Sequence, residues 1–416
     1  MKRNKVKELL YGIFARIVSS VVPVRKGLWI FGSDLGNVYR EGSKYLLEYM
    51  IKHHPEYDCC FVTRSVSVMQ ELRDKNIPCV DNLSMRGVWV AARAECVFTT
   101  QLASDIVFAF KKKHRRFFYL VHGQPYKVAI VELAKTDYGK KDVFVRAAPK
   151  FKILSFVKEW LSKVFVCDSR CLDSEFVSAT SDFLSWLQKR DFGQNMPSKV
   201  LGMPRNDALF QAWRFEKEKW IPNVSGKFVI AYMPTHRLYG QGAFSPTPFE
   251  HRADIQKWMD ENNVLLVVKN HPTMLLHKDR KHPYESSCIK DITTAGIDPM
   301  TVIYHSDVLI TDYSSVWMDY LLLRRPIIFY IYDDFVHEDA GVYYDVREEH
   351  VGHFCYSEDE LFSLIKSIKA NYDKMRPGDD VVRKFHKYVD GNSCERYFRE
   401  ISKADLSNNI KSEKEV

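Results

Sequence analysis

At 416 residues the chain is too long for one ordinary core, and two domains with connecting segments is the arrangement its length favours. Apolar residues make up 46% and charged residues 27%, a balance that excludes a disordered or fibrous chain. The net charge of +8 points to an anionic partner without choosing among a phosphate-bearing substrate, an anionic membrane surface and nucleic acid.

The nine cysteines show no C-x-x-C spacing. Cys167 and Cys171 lie four apart with no histidine pair beside them, so they read as reduced thiols of a cytosolic protein and not as a zinc set. The first segment, residues 1–26, carries an apolar stretch from Leu9 to Val22 that Arg16 interrupts and basic residues flank. It is shorter than the ~20 residues a spanning helix needs. No small-residue cleavage site follows, so an in-plane amphipathic helix on an anionic leaflet fits better than a signal peptide; a helix packed on the domain is the alternative.

From Gly27 short apolar runs alternate with longer mixed segments. Strands are expected at Leu28 to Ser33, Cys59 to Thr63, Ile77 to Val80, Glu95 to Thr100 and Phe117 to Gly123, with helices between them. The rhythm lapses from Lys127 to Lys163 and returns with a strand at Val164 to Ser169 and a helix beginning near Ser174. A second series starts at Lys227 to Arg237 and continues through Asn263 to Pro272, Thr301 to Tyr304, Val308 onward and the run RPIIFYI. Strands alternating with helices imply parallel pairing in doubly wound α/β sheets. The expected domains are 27–215 and 216–404, with the boundary near Trp213 to Ser225 and a polar, disordered tail at 405–416. Two such halves facing across a cleft suit a nucleotide-dependent transferase of the two-Rossmann type, although bilobal binding proteins share the topology.

Ligands of open parallel sheets bind at the carboxyl edge of the strands, and polar motifs collect there. HGQP places His122 at a strand end, where Gly123 permits a tight turn, and a histidine there suits a general base. PTHR (Pro234 to Arg237) and KNHP (Lys269 to Pro272) end two strands of the second half, so Arg237, Lys269 and His271 are candidates for neutralising a pyrophosphate. His236 and His271 with nearby acids lack the spacing of a zinc site. In GMPRND, Arg205 either reaches the cleft or pairs with Asp207 to brace the linker. In VLITDYSSVWMDYLLL, Thr311 and Asp312 close a strand, and Ser314 and Ser315 open a helix as an anion site. Asp319, one turn in, either accepts from a polyol hydroxyl or braces the helix; a plain helix cap by Asp312 or Ser314 is the bland reading of the segment.

HGQPYK, GMPRND, YMPTHR, KNHP, ITDYSSVWMDYLLLRRPIIFY with YDD, and DGNSCER (Asp390 to Arg396) together resemble, in order and spacing, the motifs of the CDP-glycerol glycerophosphotransferase family, over about Leu28 to Glu400. The resemblance implies two facing Rossmann-like domains of GT-B type with an interdomain cleft, on a peripheral protein of the cytoplasmic membrane face. It implies transfer of a polyol phosphate from a CDP-alditol to a lipid-linked acceptor in teichoic acid or capsule synthesis, with release of CMP. By that likeness His122 is the base, His271 supports the pyrophosphate, Ser314 and Ser315 hold phosphate oxygens, Asp319 holds a donor hydroxyl, and Arg205 lines the cleft. Gln124 stands where the family more often has threonine, and His236 where an aromatic is commoner, so the donor polyol is glycerol, ribitol or another alditol. Magnesium held by Asp312 or Asp319 is an open option, as is a site that works without metal. The rival readings are a GT-B glycosyltransferase using a nucleotide sugar and a non-catalytic scaffold of a capsule assembly complex. No docking module for nucleic acid is present in the sequence.

Overall fold

The computed structural model describes residues 5–101, 105–106, 113–128, 174–212, 215, 224–235, 246–270, 284–333 and 341–413, side chains of 5–10 and 404–413 aside. Two compact units emerge. The first comprises Met1–His122, Ile130–Asp207 and Asn392–Val416; the second comprises Gly123–Ala129 and Ala208–Gly391. The chain therefore passes between units at 122/123, 129/130, 207/208 and 391/392, and its last helix returns to the first unit, whereas the sequence reading kept residues up to 404 with the second half.

The first unit opens with helix α1 (Lys5–Val21) and is built on the parallel strands β1 (Arg25–Phe31), β2 (Asp58–Thr63), β3 (Cys79–Asp81), β4 (Ala94–Thr99), β5 (Arg116–Tyr119), β6 (Val177–Ala179) and β7 (Ser198–Val200), in the order β3-β2-β1-β4-β5-β6-β7. Helices α2 (Glu41–His53), α3 (Val66–Asp74), α4 (Met85–Arg93) and α5 (Asp182–Phe192) alternate with them. Serine caps set three of these starts: the hydroxyls of Ser65, Ser84 and Ser181 accept from Val68 N, Gly87 N and Leu184 N. Phe31, Phe98 and Phe118 stack across β1, β4 and β5, with ring centroids 4.6 Å and 5.1 Å apart. Leu46, Leu47 and Met50 of α2 pack on the same cluster as Tyr397 and Ile401. Each such side chain, fully buried, contributes ~1.5–3 kcal/mol.

The second unit holds β8 (Phe228–Tyr232), β9 (Val264–Val268), β10 (Ile289–Asp291), β11 (Val308–Thr311), β12 (Ile327–Tyr330) and β13 (His353–Cys355), all parallel, in the order β10-β9-β8-β11-β12-β13. Its helices are α6 (Ala253–Glu261), α7 (Pro299–His305), α8 (Val316–Leu321), α9 (Glu358–Ala370) and α10 (Asp379–Phe385). The final helix, α11 (Ser393–Glu413), completes the first unit and continues into the stretch that the sequence reading took as a disordered tail.

Two expected elements differ. Thr301 to Tyr304, expected as a strand because of its β-branched and aromatic content, lies in α7: Asp298 caps the helix by accepting from Met300 N, and Pro299 starts it with its fixed φ. The helix expected near Ser174 begins at Asp182 instead, after the short strand β6. The expected strand at Val164 to Ser169 lies outside the described residues. In α1, Ala15 is buried with Val88 and Ala91 of α4, while Ile13, Phe14, Ile17 and Val21 are exposed. No described helix is long and apolar enough to cross a membrane.

Candidate active site

In the first unit the strand order reverses between β1 and β4, and the loops after these strands and after β5 meet around His122. Asp105 organises this edge. Its buried carboxylate accepts from Leu35 N at 2.7 Å, Thr100 N at 2.9 Å and Gln101 N at 3.0 Å. Burial raises its pKa, and these three backbone donors pull it down. His122 stands two residues beyond Leu120, whose N–H bonds the Thr99 carbonyl at 2.8 Å and so carries the β4–β5 pairing one step further. The imidazole is open to solvent at its surface yet crowded by surrounding protein. The crowding pushes its pKa below the ordinary 6.5; the Glu41 charge and a hydrogen bond to the Thr100 carbonyl work against that, and Arg205 works with it. A ring held neutral with a carbonyl partner for one nitrogen can take a proton. The Tyr119 hydroxyl lies 3.4 Å from His122 Nδ1.

Arg205 reaches neither of its expected partners alone. Its guanidinium pairs with the Glu41 carboxylate and donates to the His122 carbonyl. Asp207 is instead bonded by Ser393 N at 2.8 Å and Cys394 N at 2.7 Å, capping α11. Glu41 and Tyr119 did not stand out in the sequence. Glu41 is 164 residues from Arg205, and no local pattern marks that pairing.

In the second unit the order reverses between β8 and β11, and the loops that follow them are tied together. Asp312, buried, accepts through Oδ1 from Thr235 N at 2.7 Å and from Tyr313 N at 2.6 Å. Thr311 Oγ1 donates to the Met233 carbonyl at 2.8 Å. These two residues therefore fix the loops. Ser314 and Ser315 follow at the start of α8, a helix of only six residues, so its dipole is small and the hydroxyls and N–H groups carry any anion contact. Ser315 occupies the N-cap position without bonding the helix through its side chain. Asp319 is 2% exposed and engaged inside the protein, which favours the bracing alternative for this residue. Lys269 is buried just past β9.

Gly123 lies in this unit against Ser315: a Cβ on it would sit 2.7 Å from Ser315 Oγ. Gln124 is buried, and Tyr126 meets the Trp317 ring edge-on at 5.9 Å. The segment is pinned further by Val128 N to the Gly341 carbonyl at 3.1 Å and Tyr343 N to the Tyr126 carbonyl at 2.9 Å. Arg237, His236 and His271 lie outside the described residues. Among the described residues no group of three His, Cys, Asp or Glu side chains could hold a metal ion.

The model of the CDP-glycerol:poly(glycerophosphate) glycerophosphotransferase family matches residues 13–403. The chain is 26% identical over 418 aligned residues to the teichoic acid poly(glycerol phosphate) polymerase of Bacillus subtilis (strain 168), covering 97% of this chain and 52% of that protein. It is 30% identical over 227 residues to the teichoic acid glycerol-phosphate primase of the same strain, covering 53% of this chain and 55% of that one. The chain thus spans about half the length of these curated relatives. A solved structure of a histidine-to-alanine variant of the wall teichoic acid polymerase TagF matches with a TM-score of 0.71 at 19% identity, covering 99% of this chain and 100% of the other, a likeness of fold. With the family model matched along nearly the whole sequence, the chain belongs to the CDP-glycerol:poly(glycerophosphate) glycerophosphotransferase family.

Proposed function

We propose that this protein transfers glycerol phosphate or ribitol phosphate from a CDP-alditol to a hydroxyl of a lipid-linked acceptor in teichoic acid or related polymer synthesis. Family membership supports the substrate class, as do relatives named as glycerol-phosphate and ribitol-phosphate polymerases. The structure of a histidine-to-asparagine variant of TagF soaked with CDPG supports a CDP-alditol donor here. The observation that carries the chemistry is His122, a histidine at the sheet edge whose surroundings favour its neutral form. In the proposed step its unprotonated nitrogen takes the acceptor's hydroxyl proton. The acceptor oxygen bonds to the β-phosphorus, the bond from that phosphorus to the bridging oxygen breaks, and CMP leaves with the electron pair. Ser314, Ser315 and Lys269 hold phosphate oxygens, with Arg237 and His271 in support. Gly123 and Gln124 shape the turn beside the base, and His236 is assigned to the acceptor side. Asp312 and Thr311 support the loops, and Asp319 supports the helix.

The reading includes a GT-B-type arrangement, supported by the two doubly wound sheets and the likeness of fold to TagF. It also includes peripheral attachment to an anionic membrane, supported by the exposed Ile13, Phe14, Ile17 and Val21 on a helix whose flanks are basic. His122→Ala should abolish CMP release from CDP-glycerol and CDP-ribitol with acceptor present. Full retention would remove the base role, and turnover of UDP- or CMP-sugars in place of CDP-alditols would favour the glycosyltransferase alternative.

A further inference from the structure

We propose that Arg205 and Glu41 act as a clasp that positions His122, Arg205 gripping the backbone of the base and Glu41 gripping Arg205. The inference rests on the base role given to His122 above and adds two positioning residues to it. Arg205 carries the contact with one nitrogen: Nη1 meets both the Glu41 carboxylate and the His122 carbonyl. The guanidinium side chain is 8% exposed and the Glu41 side chain 19%, so the pair is largely withdrawn from water, where screening is weak.

The backbone on both sides of the clasp is in a conformation that the residue types disfavour. Val121, directly before His122, has φ of 38°, and Glu41 has φ of 62°. A β-branched residue at positive φ is an outlier, and such residues persist only where neighbouring interactions over-determine them. Among the interactions that hold them are the Arg205 contacts: Nη1 meets both the carbonyl that follows Val121 and the Glu41 side chain at the start of α2, and Val121 is itself buried in a core cluster. The groups facing the ring include both members of the pair. Glu41, Arg205, Asp105 and the Tyr119 hydroxyl surround it, so the clasp sets its charge environment as well as its place. An arginine suits this task because its guanidinium is always charged and weakly hydrated, and the two N–H groups of Nη1 serve the carbonyl and the carboxylate at once.

The test uses the full chain with Arg205→Met, Arg205→Lys and Glu41→Gln, CDP-glycerol as donor and a lipid-linked glycerol phosphate acceptor. Arg205→Met should lower kcat about 100-fold, the scale of a 1 Å misplacement of a reacting group, with KM for CDP-glycerol little changed. Arg205→Lys should recover part of the loss. NMR titration of the His122 ring supplies a readout that a merely structural role would not move: the midpoint should rise in Arg205→Met, which removes a cation, and fall in Glu41→Gln, which removes an anion. If Arg205→Met does not fold, Glu41→Gln decides alone. Unchanged kcat and midpoint in the folded variants, or shifts of the same sign, would overturn the clasp. Loss of activity in His122→Ala beside full activity in both clasp variants overturns the clasp and leaves the base role standing; full activity in His122→Ala overturns both.

Discussion

Gly123→Ala isolates the contact between Gly123 and Ser315 at the start of α8, both in the second unit. The new methyl carbon would sit 2.7 Å from Ser315 Oγ but 3.7 Å from Ser315 Cβ. Ordinary carbon contacts begin near ~3.5 Å, so only the hydroxyl is in the way. The turn itself cannot retreat easily, because Tyr126 packs on Trp317 and residues 126 and 128 bond to 343 and 341. The Ser315 hydroxyl therefore swings to another staggered rotamer, which costs little stability. If that hydroxyl bonds a donor phosphate, displacing it forfeits a charge-assisted hydrogen bond worth ~1.5–3 kcal/mol, or roughly ten- to hundredfold in kcat/KM. Ser315→Ala should lose the same amount. The double variant should be no worse than either single one, which gives a coupling energy as large as the single effect. Initial rates of CMP release from CDP-glycerol for the four proteins complete the cycle. Additive losses, or a fully active Gly123→Ala enzyme, would refute the steric argument.

Three further outcomes are expected. His386 is buried, bonds the Met318 carbonyl at 2.7 Å, and has its pKa pushed down to about 4 by burial. The unfolded ring takes up a proton near pH ~6.5 while the folded ring resists, so stability falls as pH drops from about 6.5 towards 4, by about 3 kcal/mol in all at about 1.36 kcal/mol per unit; denaturant unfolding of His386→Asn across that range should show a flatter profile than the parent. Asp312→Ala should cost ~1–3 kcal/mol, because it leaves Thr235 N and Tyr313 N without the oxygen they share, and should leave sensitivity to EDTA unchanged; altered metal dependence would return Asp312 to the ligand role. Ile17→Asp with Val21→Asp, at positions 60% and 76% exposed, should reduce co-sedimentation with anionic vesicles while the melting temperature holds; unchanged co-sedimentation would discard the membrane role of α1.

The central strands were legible because each is a compact apolar run closed by polar residues, and β1, β4, β8, β9, β11 and β12 fall where such runs occur. The edge strands β7, β10 and β13 are three residues long and SKV and IKD carry a lysine at the centre, so no apolar run registers there, whereas the equally short edge strand β3 overlaps the strand expected at Ile77 to Val80. Thr301 to Tyr304 misled because β-branched content outweighed the Asp298–Pro299 start signal immediately before it. At the candidate site, strand-end position singled out His122, Ser314 and Ser315 as candidates, and the structure places them after β5 and β11. The roles of Thr311 and Asp312 needed coordinates, since a carboxylate that ties two loops and one that faces a ligand look alike in sequence.

GMPRND and DGNSCER show what such motifs conceal. Read separately, the first is a turn and the second a helix start near the end of the chain. In the fold they are one joint: Asp207 receives the first N–H groups of α11, Arg396 Nε donates to the Leu201 carbonyl at 2.8 Å, and Gly202, at φ of 84°, has no room for a side chain beside Ser393. The buried ring of Tyr397 and the side chain of Ile401 anchor that helix in the core beneath β1, β4 and β5. The joint fixes the 3-10 turn Pro204–Phe210, and the turn carries Arg205. A motif with no chemistry of its own thereby fixes Arg205, which bonds the His122 carbonyl, and the late helix belongs with the first unit for that physical reason.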